Sequence, residues 1–523
     1  MNRILPPSRL WPLHSVAATR DIEEHAALAL PPHTLMRRAG DFVARLALAV
    51  APHSRRVWVA AGPGNNGGDG LEAAAQLQAA GKQVTVHWLG ATRGDQRSPP
   101  DSLDAHARAR SAGVQIFDTG SADWSAALEP HDVAIDALLG IGANRAPAGP
   151  MAEMVDRLNA MVCPVIAIDV PSGLDADRGQ PWGLSCVRAD HTLSLLTLKP
   201  GLFTASGRDQ AGTVWLDSLG VAGSASALPC AWLSGAQAAP SLRHHAQHKG
   251  SFGDVVVVGG ASGMAGAALL AARAAQAAGA GRVFVDWLQD ALQAPGIDVM
   301  HPELMMQRGK SLSEPAVLKA ATVVCGCGGG SVVRDRLPRL LSLAGRLVLD
   351  ADALNALATD AQLMKQLRQR HGRAQATVLT PHPLEAARLL ACEVAQVQSD
   401  RMYAARALAE MTACVVVLKG SGSITAAPGH IPHINGTGNA SLASGGTGDV
   451  LAGWLGGCWA QAGWATGLRQ AQELELAFAT ASQAVADHGS VAEPESTAAL
   501  AASGLIERLH RRRANIPSPK SRR

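Results

Sequence analysis

Short runs of β-branched and small apolar residues, each ending in a glycine-rich or acidic turn and followed by an Ala/Leu-rich stretch, recur along this chain. Val57 to Ala61 precedes GPGNNGGDG, Gln83 to Leu89 follows a helical stretch, Val133 to Leu139 ends at GIG, and Val165 to Val170 ends at PSG. Strands that alternate with helices line up as a parallel sheet covered by helices, and functional groups then collect at the carboxyl ends of the strands. Near Gly220 the alternation fades into VAGSASALPCAWLSGAQAAPS, whose small residues and prolines mark a boundary. It resumes with Asp254 to Val258, the glycine-rich GGASGMAG and an Ala-rich helix from Ala267 to Ala278. Further strands are expected at Arg282 to Asp286, Ala321 to Cys325, Leu347 to Leu349, Ala376 to Leu379 and Cys414 to Leu418.

At 523 residues the chain exceeds what one core usually organises, so two domains are expected. These are residues 1–222, a linker at 223–240, residues 241–512, and a basic tail at 513–523. The net charge of +3 is spread along the chain, and the only basic cluster lies in the tail, so no face for nucleic acid is expected. The eight cysteines lack zinc-site spacing and disulfide density. They read as reduced thiols of a cytoplasmic protein. No uninterrupted apolar segment of roughly 20 residues suggests a membrane span.

In the first half, GPGNNGGDG follows a strand and precedes a helical stretch expected from Leu71. Its backbone amides can approach a phosphate at a helix N-terminus. It lacks the Lys-Ser/Thr ending of a P-loop and the spacing of a dinucleotide fingerprint. Asp136 begins DALLGIG, and Asp169 lies in DVPSGLD with Ser172 three residues on. Asn66, Asp136 and Ser172 offer oxygens suited to a hard monovalent or divalent cation. No nearby Lys or Arg within these motifs offsets the charge of those three residues. The plain alternative is that both aspartates cap the turns that follow them.

In the second half, NGTGN at Asn435 to Asn439 leads to Gly445-Gly446-Thr447-Gly448-Asp449 and a helix expected to open at Asp449. Such a turn exposes amides that hold a phosphate and stabilise charge during its transfer, with Asp449 placed to take a proton. Lys419 ends the strand CVVVLKG and leads into Gly420, Ser421, Gly422 and Ser423, a candidate nucleotide loop. Prolines on both sides of His382 restrict its backbone and so the direction of its ring. The pair Cys325 and Cys327 lacks a second thiol pair at usable spacing and reads as a glycine turn lined by small thiols.

GPGNNGGDG, DALLGIG, DVPSGLD and LKPGL at Leu198 to Leu202 together resemble the N-terminal domain of the YjeF family, the NAD(P)HX epimerases, over about residues 15–220. The resemblance implies a Rossmann-like three-layer αβα domain that binds K⁺ through Asn66, Asp136 and Ser172. It places hydrated NAD(P)H against Asn65, Asn66, Gly67, Gly68, Asp69, Gly140, Ile141, Gly142, Ala143, Asn144, Arg145 and Asp169. Asp169 is the favoured acid–base group, with Asp69 as its rival. At LMRRAG, family members commonly carry an acid where this chain has Arg37 or Arg38.

HKGSFGD, GGASGMAGAALLAARAA, TPHP, LKG and GGTGD resemble the ADP-dependent NAD(P)HX dehydratases, a ribokinase-like fold, over about residues 240–510. The resemblance implies hydrate contacts at Ala267, Gly328, His382 and Asp449. It implies nucleotide contacts at Lys419 to Ser423 and Gly448, with Asp449 catalytic, ADP as co-substrate and Mg²⁺ screening the phosphates. Cys327 and Gly329 stand where the family has Pro and Leu, Leu384 where it has Gly, and Ala440-Ser441 where it has Pro-Gly. The expected partners are NADHX, NADPHX and ADP, with a homo-oligomeric enzyme and no nucleic acid or membrane. A small-molecule kinase would use the same GGTGD turn and is the alternative enzyme class. A binding module that kept its fold and lost catalysis is the non-enzymatic alternative for the first half.

Overall fold

The computed structural model describes residues 1–90, 98–118, 128–221, 228–235, 243–288, 296–307, 312, 314–462, 470–492 and 498–515. The chain divides into two compact units, Met1–Leu5 with Trp11–Leu233, and Pro6–Leu10 with Ser234–Arg523. Of the expected linker, residues 223–227 and 236–240 lie outside the described residues, as do residues 516–523 of the tail. Between the two linker pieces runs the strand Ala231–Ser234, in which Ala231 pairs with Leu13 and Leu233 with Trp11.

In the first unit the sheet runs in the order Asn2–Arg3, Thr213–Asp217, His191–Leu195, Val165–Ile168, Val133–Ala137, Arg56–Ala61, Gln83–Trp88, Gln115–Asp118. All neighbours are parallel except the first pair. Side chains alternate across a strand, so Val57, Val59 and Ala61 pack with the helices Thr34–Val50 and Asn65–Ala79. Trp58 and Ala60 face the other way, against Met154, Val155 and Leu158 of Pro150–Asn159. Buried on both faces, these strands form the middle of three layers, as expected.

From Arg56–Ala61 the chain steps outward to Gln83–Trp88 and Gln115–Asp118, then returns to Val133–Ala137 on the opposite side. The loops after Ala61 and Ala137 therefore diverge at a topological switch point, where a crevice opens.

The second unit repeats the principle, in the order Met305–Gln307, Arg282–Trp287, Asp254–Gly259, Thr322–Cys325, Arg346–Leu349, Thr377–Leu379, Val415–Leu418, Ile424–Ala426, His433–Asn435. Strands through Val415–Leu418 are parallel, and the last two pairings are antiparallel. Its switch point lies between Asp254–Gly259 and Thr322–Cys325. Over one face lie the helices Ala265–Ala277 and Thr447–Gln461. They approach so closely that a Cβ on Gly453 would lie 1.9 Å from the Ala271 carbonyl oxygen, which is why small residues fill this seam. The contact fixes the start of Thr447–Gln461 above the switch point. Both halves are thus α/β, and every strand expected from the sequence is present within two residues of its expected ends. Among the described residues no helix is long and apolar enough to cross a membrane.

Candidate functional site

In the first unit a cleft of about 1220 Å³ opens at the switch point. Asn65, Asn66, Asp69, Gly140 to Arg145 and Asp169 all line it. Gly67 and Gly68 do not line it. A Cβ on Gly67 would stand 1.9 Å from the Gly62 carbonyl oxygen, and one on Gly68 would meet Met36, so both are small because backbone and core press on them. The helix begins at Asn65, not Leu71: most of GPGNNGGDG is the helix's first turns, and Asp69 projects from one of them into the cleft.

Asp169 stands just past its strand in the left-handed region, at φ 67°. That conformation costs a non-glycine residue on the order of 1 kcal/mol or more. Four contacts hold it. Its Oδ1 accepts from the Lys199 ammonium and from Leu195 N–H (3.3 Å), its Oδ2 accepts from Ile141 N–H (3.3 Å), and its own N–H donates to Leu193 O (2.8 Å). Lys199 is fully buried and also donates to Leu195 O (2.7 Å). Asp169 thus has a cationic partner from outside its own motif. LKPGL supplies it, and its lysine lines the cleft.

Asp69 has a different environment. Burial, then the nearby carboxylates Glu23 and Asp169, hold its carboxyl well above the usual range. Burial and Asp169 also raise Glu23, another cleft residue. The cleft thus pairs a carboxylate tied to an ammonium with a carboxyl that favours its neutral form, an arrangement suited to acid–base work.

Asp136 and Ser172 do not line the cleft. They meet under its floor, Leu138 to Gly140, where Ser172 Oγ donates to Asp136 Oδ1 (2.6 Å) and accepts from Leu139 N–H (2.8 Å). Ser172 N–H donates to Asp136 Oδ2 (2.8 Å). Asp136 is fully buried with no ion pair among the described residues, and burial pushes its carboxyl up to about 6. Asn66 is buried beside Gly140, and its side-chain Nδ2 has no hydrogen-bond partner. The buried Asp136 carboxylate, which has no ion pair among the described residues, the Ser172 hydroxyl and the Asn66 side-chain oxygen are the kinds of donor a hard cation of low charge takes.

In the second unit, Asp449 lies in the first turn of Thr447–Gln461, and burial, then the charge of Asp350, raises its carboxyl to about 6. Lys419 Nζ donates to Asp350 Oδ1 (2.7 Å) and stands 3.3 Å from where a Cβ on Gly448 would be. The Cys327 thiol lies within 4.8 Å of an Asp449 carboxylate oxygen. Ala267 and Gly328 are adjacent, a Cβ on Gly328 falling 3.0 Å from that of Ala267. The second constellation thus brings Lys419 to Gly448 and Asp449, with Gly328, which follows Cys327, packed against Ala267.

His382 has a structural task that its proline bracket did not reveal. Its Nδ1 accepts from Leu384 N–H (3.1 Å) and Glu385 N–H (3.4 Å), capping the helix Pro383–Leu390. Its ring still senses Lys419 and Asp350, and burial followed by Lys419 lowers its basicity. In the loop Gly420 to Ser423, Ser423 Oγ accepts from Gly420 N–H (3.2 Å), and Gly420 takes a positive φ against the Arg401 guanidinium. Buried Arg401 donates to the carbonyls of Leu418 (3.3 Å) and Lys419 (3.2 Å). His488, also buried, bonds the Thr447 carbonyl oxygen through Nε2 (2.9 Å), and burial lowers its basicity to about 4. Neither Arg401 nor His488 was singled out by motif, and Asp350 was missed too.

A family model described as YjeF-related protein N-terminus matches residues 32–201, and one described as NAD(P)H-hydrate dehydratase matches residues 255–511. The bifunctional NAD(P)H-hydrate repair enzyme of Escherichia coli K12 is 36% identical over 472 residues, covering 87% of this chain and 86% of that one. The bifunctional NAD(P)H-hydrate repair enzyme of Leishmania major is 34% identical over 557 residues, covering 97% and 95%. A crystal structure of ADP/ATP-dependent NAD(P)H-hydrate dehydratase from Bacillus subtilis, co-crystallised with ATP/Mg²⁺, is 26% identical over 52% of this chain and 93% of its own, with a TM-score of 0.40. With both family models matched in order and such identity across nearly the full length of both relatives, this chain belongs to the family of bifunctional NAD(P)H-hydrate repair enzymes.

Proposed function

We propose that the first unit interconverts the R and S forms of hydrated NAD(P)H, and that the second dehydrates the S form to NAD(P)H while ADP becomes AMP and phosphate. The observation that carries the first half is the convergence of Asp69, Asp169 and Lys199 on one cleft at the switch point.

The substrate is a carbinolamine, with a hydroxyl on the ring carbon next to the nitrogen. The nitrogen lone pair expels that hydroxyl, which leaves as water if an acid protonates it. In this reading Asp69, kept neutral, is the acid. Water then returns to the iminium from the other face and gives its proton to Asp169, whose carboxylate Lys199 and the Ile141 and Leu195 amides hold in place. Asn65, Asn66 and Gly140 to Arg145 line the space for the rest of the dinucleotide. Asn66, Asp136 and Ser172 would hold K⁺, whose charge would neutralise Asp136 and stiffen the floor from Leu138 to Gly140.

In the second unit Asp449 takes the proton of the hydrate's hydroxyl as its oxygen attacks the terminal phosphorus of ADP. AMP leaves, the ring nitrogen then expels phosphate, and loss of a proton from the neighbouring ring carbon restores the dihydropyridine. Lys419, the Gly448 amide and the helix N-terminus face the charge that develops on the phosphoryl oxygens. A stable phosphorylated product, the mark of a kinase, does not form, because the nitrogen lone pair drives phosphate out.

Among the described residues, the one group of three or more His, Cys, Asp or Glu side chains near enough to hold a metal is Cys327, Asp350 and Asp449. Its thiol does not suit Mg²⁺, which takes oxygen ligands. Magnesium would then arrive on the nucleotide's phosphates, and no step depends on this trio holding it. The eight cysteines are all free thiols, which supports a cytoplasmic setting. Homo-oligomeric assembly is part of the proposal and is checked by the mass in solution. Chromatography of both epimers after incubation with and without ADP tests the two activities together.

A further inference from the structure

Cys327 lies beside the dehydratase unit's proposed base, where the fold leaves it little freedom. The glycines before and after it both have positive φ, and its carbonyl oxygen accepts from Gly260 N–H (3.1 Å) on the adjacent loop. Its Sγ, an oxygen of Asp350 and an oxygen of Asp449 all lie within 4.8 Å of one another. Cys327 and Asp350 are buried and Asp449 is half-exposed, so the trio opens through Asp449. Thr380 and Lys419 both donate to Oδ1 of Asp350 (2.7 Å each), and no hydrogen bond among the described residues ends on its Oδ2.

We propose that Cys327, Asp350 and Asp449 form a site for a thiophilic divalent cation of the Zn²⁺ type, and that its occupation blocks dehydration. Zinc takes sulfur at about 2.3 Å and carboxylate oxygen at about 2.0–2.2 Å, so bound ligand atoms end roughly 3.5 Å apart. The trio reaches that by small side-chain movements. One thiolate and two carboxylates carry three negative charges. A divalent ion and the Lys419 ammonium offset all of them, so the filled site carries no net charge. Three protein ligands leave a fourth position open for water or a phosphate oxygen. The binding part rests on geometry alone, whereas the inhibition part rests on the reading of Asp449 as the base.

The test uses the full chain, metal-free, with Zn²⁺ titrated calorimetrically and Co²⁺ as an optical probe. Wild type should bind one more zinc equivalent than Cys327→Ala, because surface histidines contribute equally to both. The Cys327→Ser variant, which keeps a hydroxyl in place of the thiol and guards against a packing defect, should bind zinc more weakly than wild type. The loss should exceed the roughly 10–100-fold that removing an outer-shell partner costs. Co²⁺ should give a near-ultraviolet thiolate-to-cobalt band in wild type that both variants lack. Zinc should stop ADP-dependent dehydration in wild type, while whatever rate Cys327→Ala retains stays insensitive and epimerisation in the same sample continues. Equal zinc stoichiometry in all three proteins, or a cobalt band that survives in the variants, overturns the site. A cobalt band with undiminished dehydration leaves the site standing and removes Asp449 from the role of base.

Discussion

Replacing Lys199 with Met tests the epimerase site at its most constrained point. The ammonium is fully buried and donates to Asp169, to Leu195 O (2.7 Å) and to Ser194 Oγ (3.3 Å). Met keeps the volume and apolar stem and removes the charge. Breaking one side of a buried ion pair costs about 3–5 kcal/mol, chiefly because the partner charge is left uncompensated. Against a typical stability of about 5–15 kcal/mol, that should lower the first unit's melting temperature by several degrees or more. The same loss leaves Asp169 without the contact that orients it. Epimerisation should therefore fall by about 10²–10⁴-fold, the usual contribution of a positioned acid–base group. ADP-dependent dehydration of the pure S form should be unchanged. The double variant Lys199→Met/Asp169→Asn removes both charges, so it should melt above Lys199→Met alone yet stay inactive as an epimerase. That recovery distinguishes a charge pair from two independent packing contacts. The assay is conversion of pure R hydrate to the equilibrium mixture without ADP, followed by chromatography, alongside thermal melts. Wild-type epimerisation by Lys199→Met, or a double variant less stable by the sum of the single effects, would refute the reasoning.

Asp449→Asn should abolish ADP-dependent loss of the S hydrate and leave R–S interconversion intact; turnover within threefold of wild type would remove Asp449 from its role. Because its carboxyl is raised to about 6 and the base form is the carboxylate, dehydration should fall as pH drops through about 6, and a flat profile from pH 5 to 8 would contradict this. Burial raises the Asp136 carboxyl to about 6, so the stability it contributes is complete only below the usual aspartate value and is lost as pH rises from there through about 6. Potassium should therefore raise the first unit's melting temperature over that in lithium more at pH 8 than at pH 5, and Asp136→Ala should erase the difference. A fragment of residues 1–235 should melt higher than one of 1–225, since only the longer keeps the strand that pairs with Trp11–Leu13; equal melting would mean that pairing adds nothing.

The strands and glycine-rich turns were legible because their signals are local: β-branched runs, then glycine or aspartate, then alanine and leucine. Asp169, Asp69 and Asp449 were legible for the same reason, each ending or following such a run. What escaped was the set of long-range partners. Lys199 was visible in LKPGL, yet nothing local says that an ammonium thirty residues after Asp169 folds back onto it. Asp350 sits at the end of a strand, and only the sheet order brings Lys419, 69 residues later, to its carboxylate. His488 reaches Thr447 across 41 residues from the last turn of a helix with no motif around it. The CxC pattern marked a glycine turn, with Gly326 and Gly328 both at positive φ. It could not show that one of its sulfurs would meet two carboxylates from distant turns.

The central claim is that one chain performs two successive repairs, and the most direct measurement is chromatographic, on purified enzyme supplied with the R hydrate. Without ADP the R form should relax to an R–S mixture with no NAD(P)H produced. With ADP both forms should disappear, with NAD(P)H, AMP and phosphate rising in equal amounts. Persistence of the R form when ADP is present and the S form is consumed would contradict the account, as would a stable phosphorylated product in place of NAD(P)H.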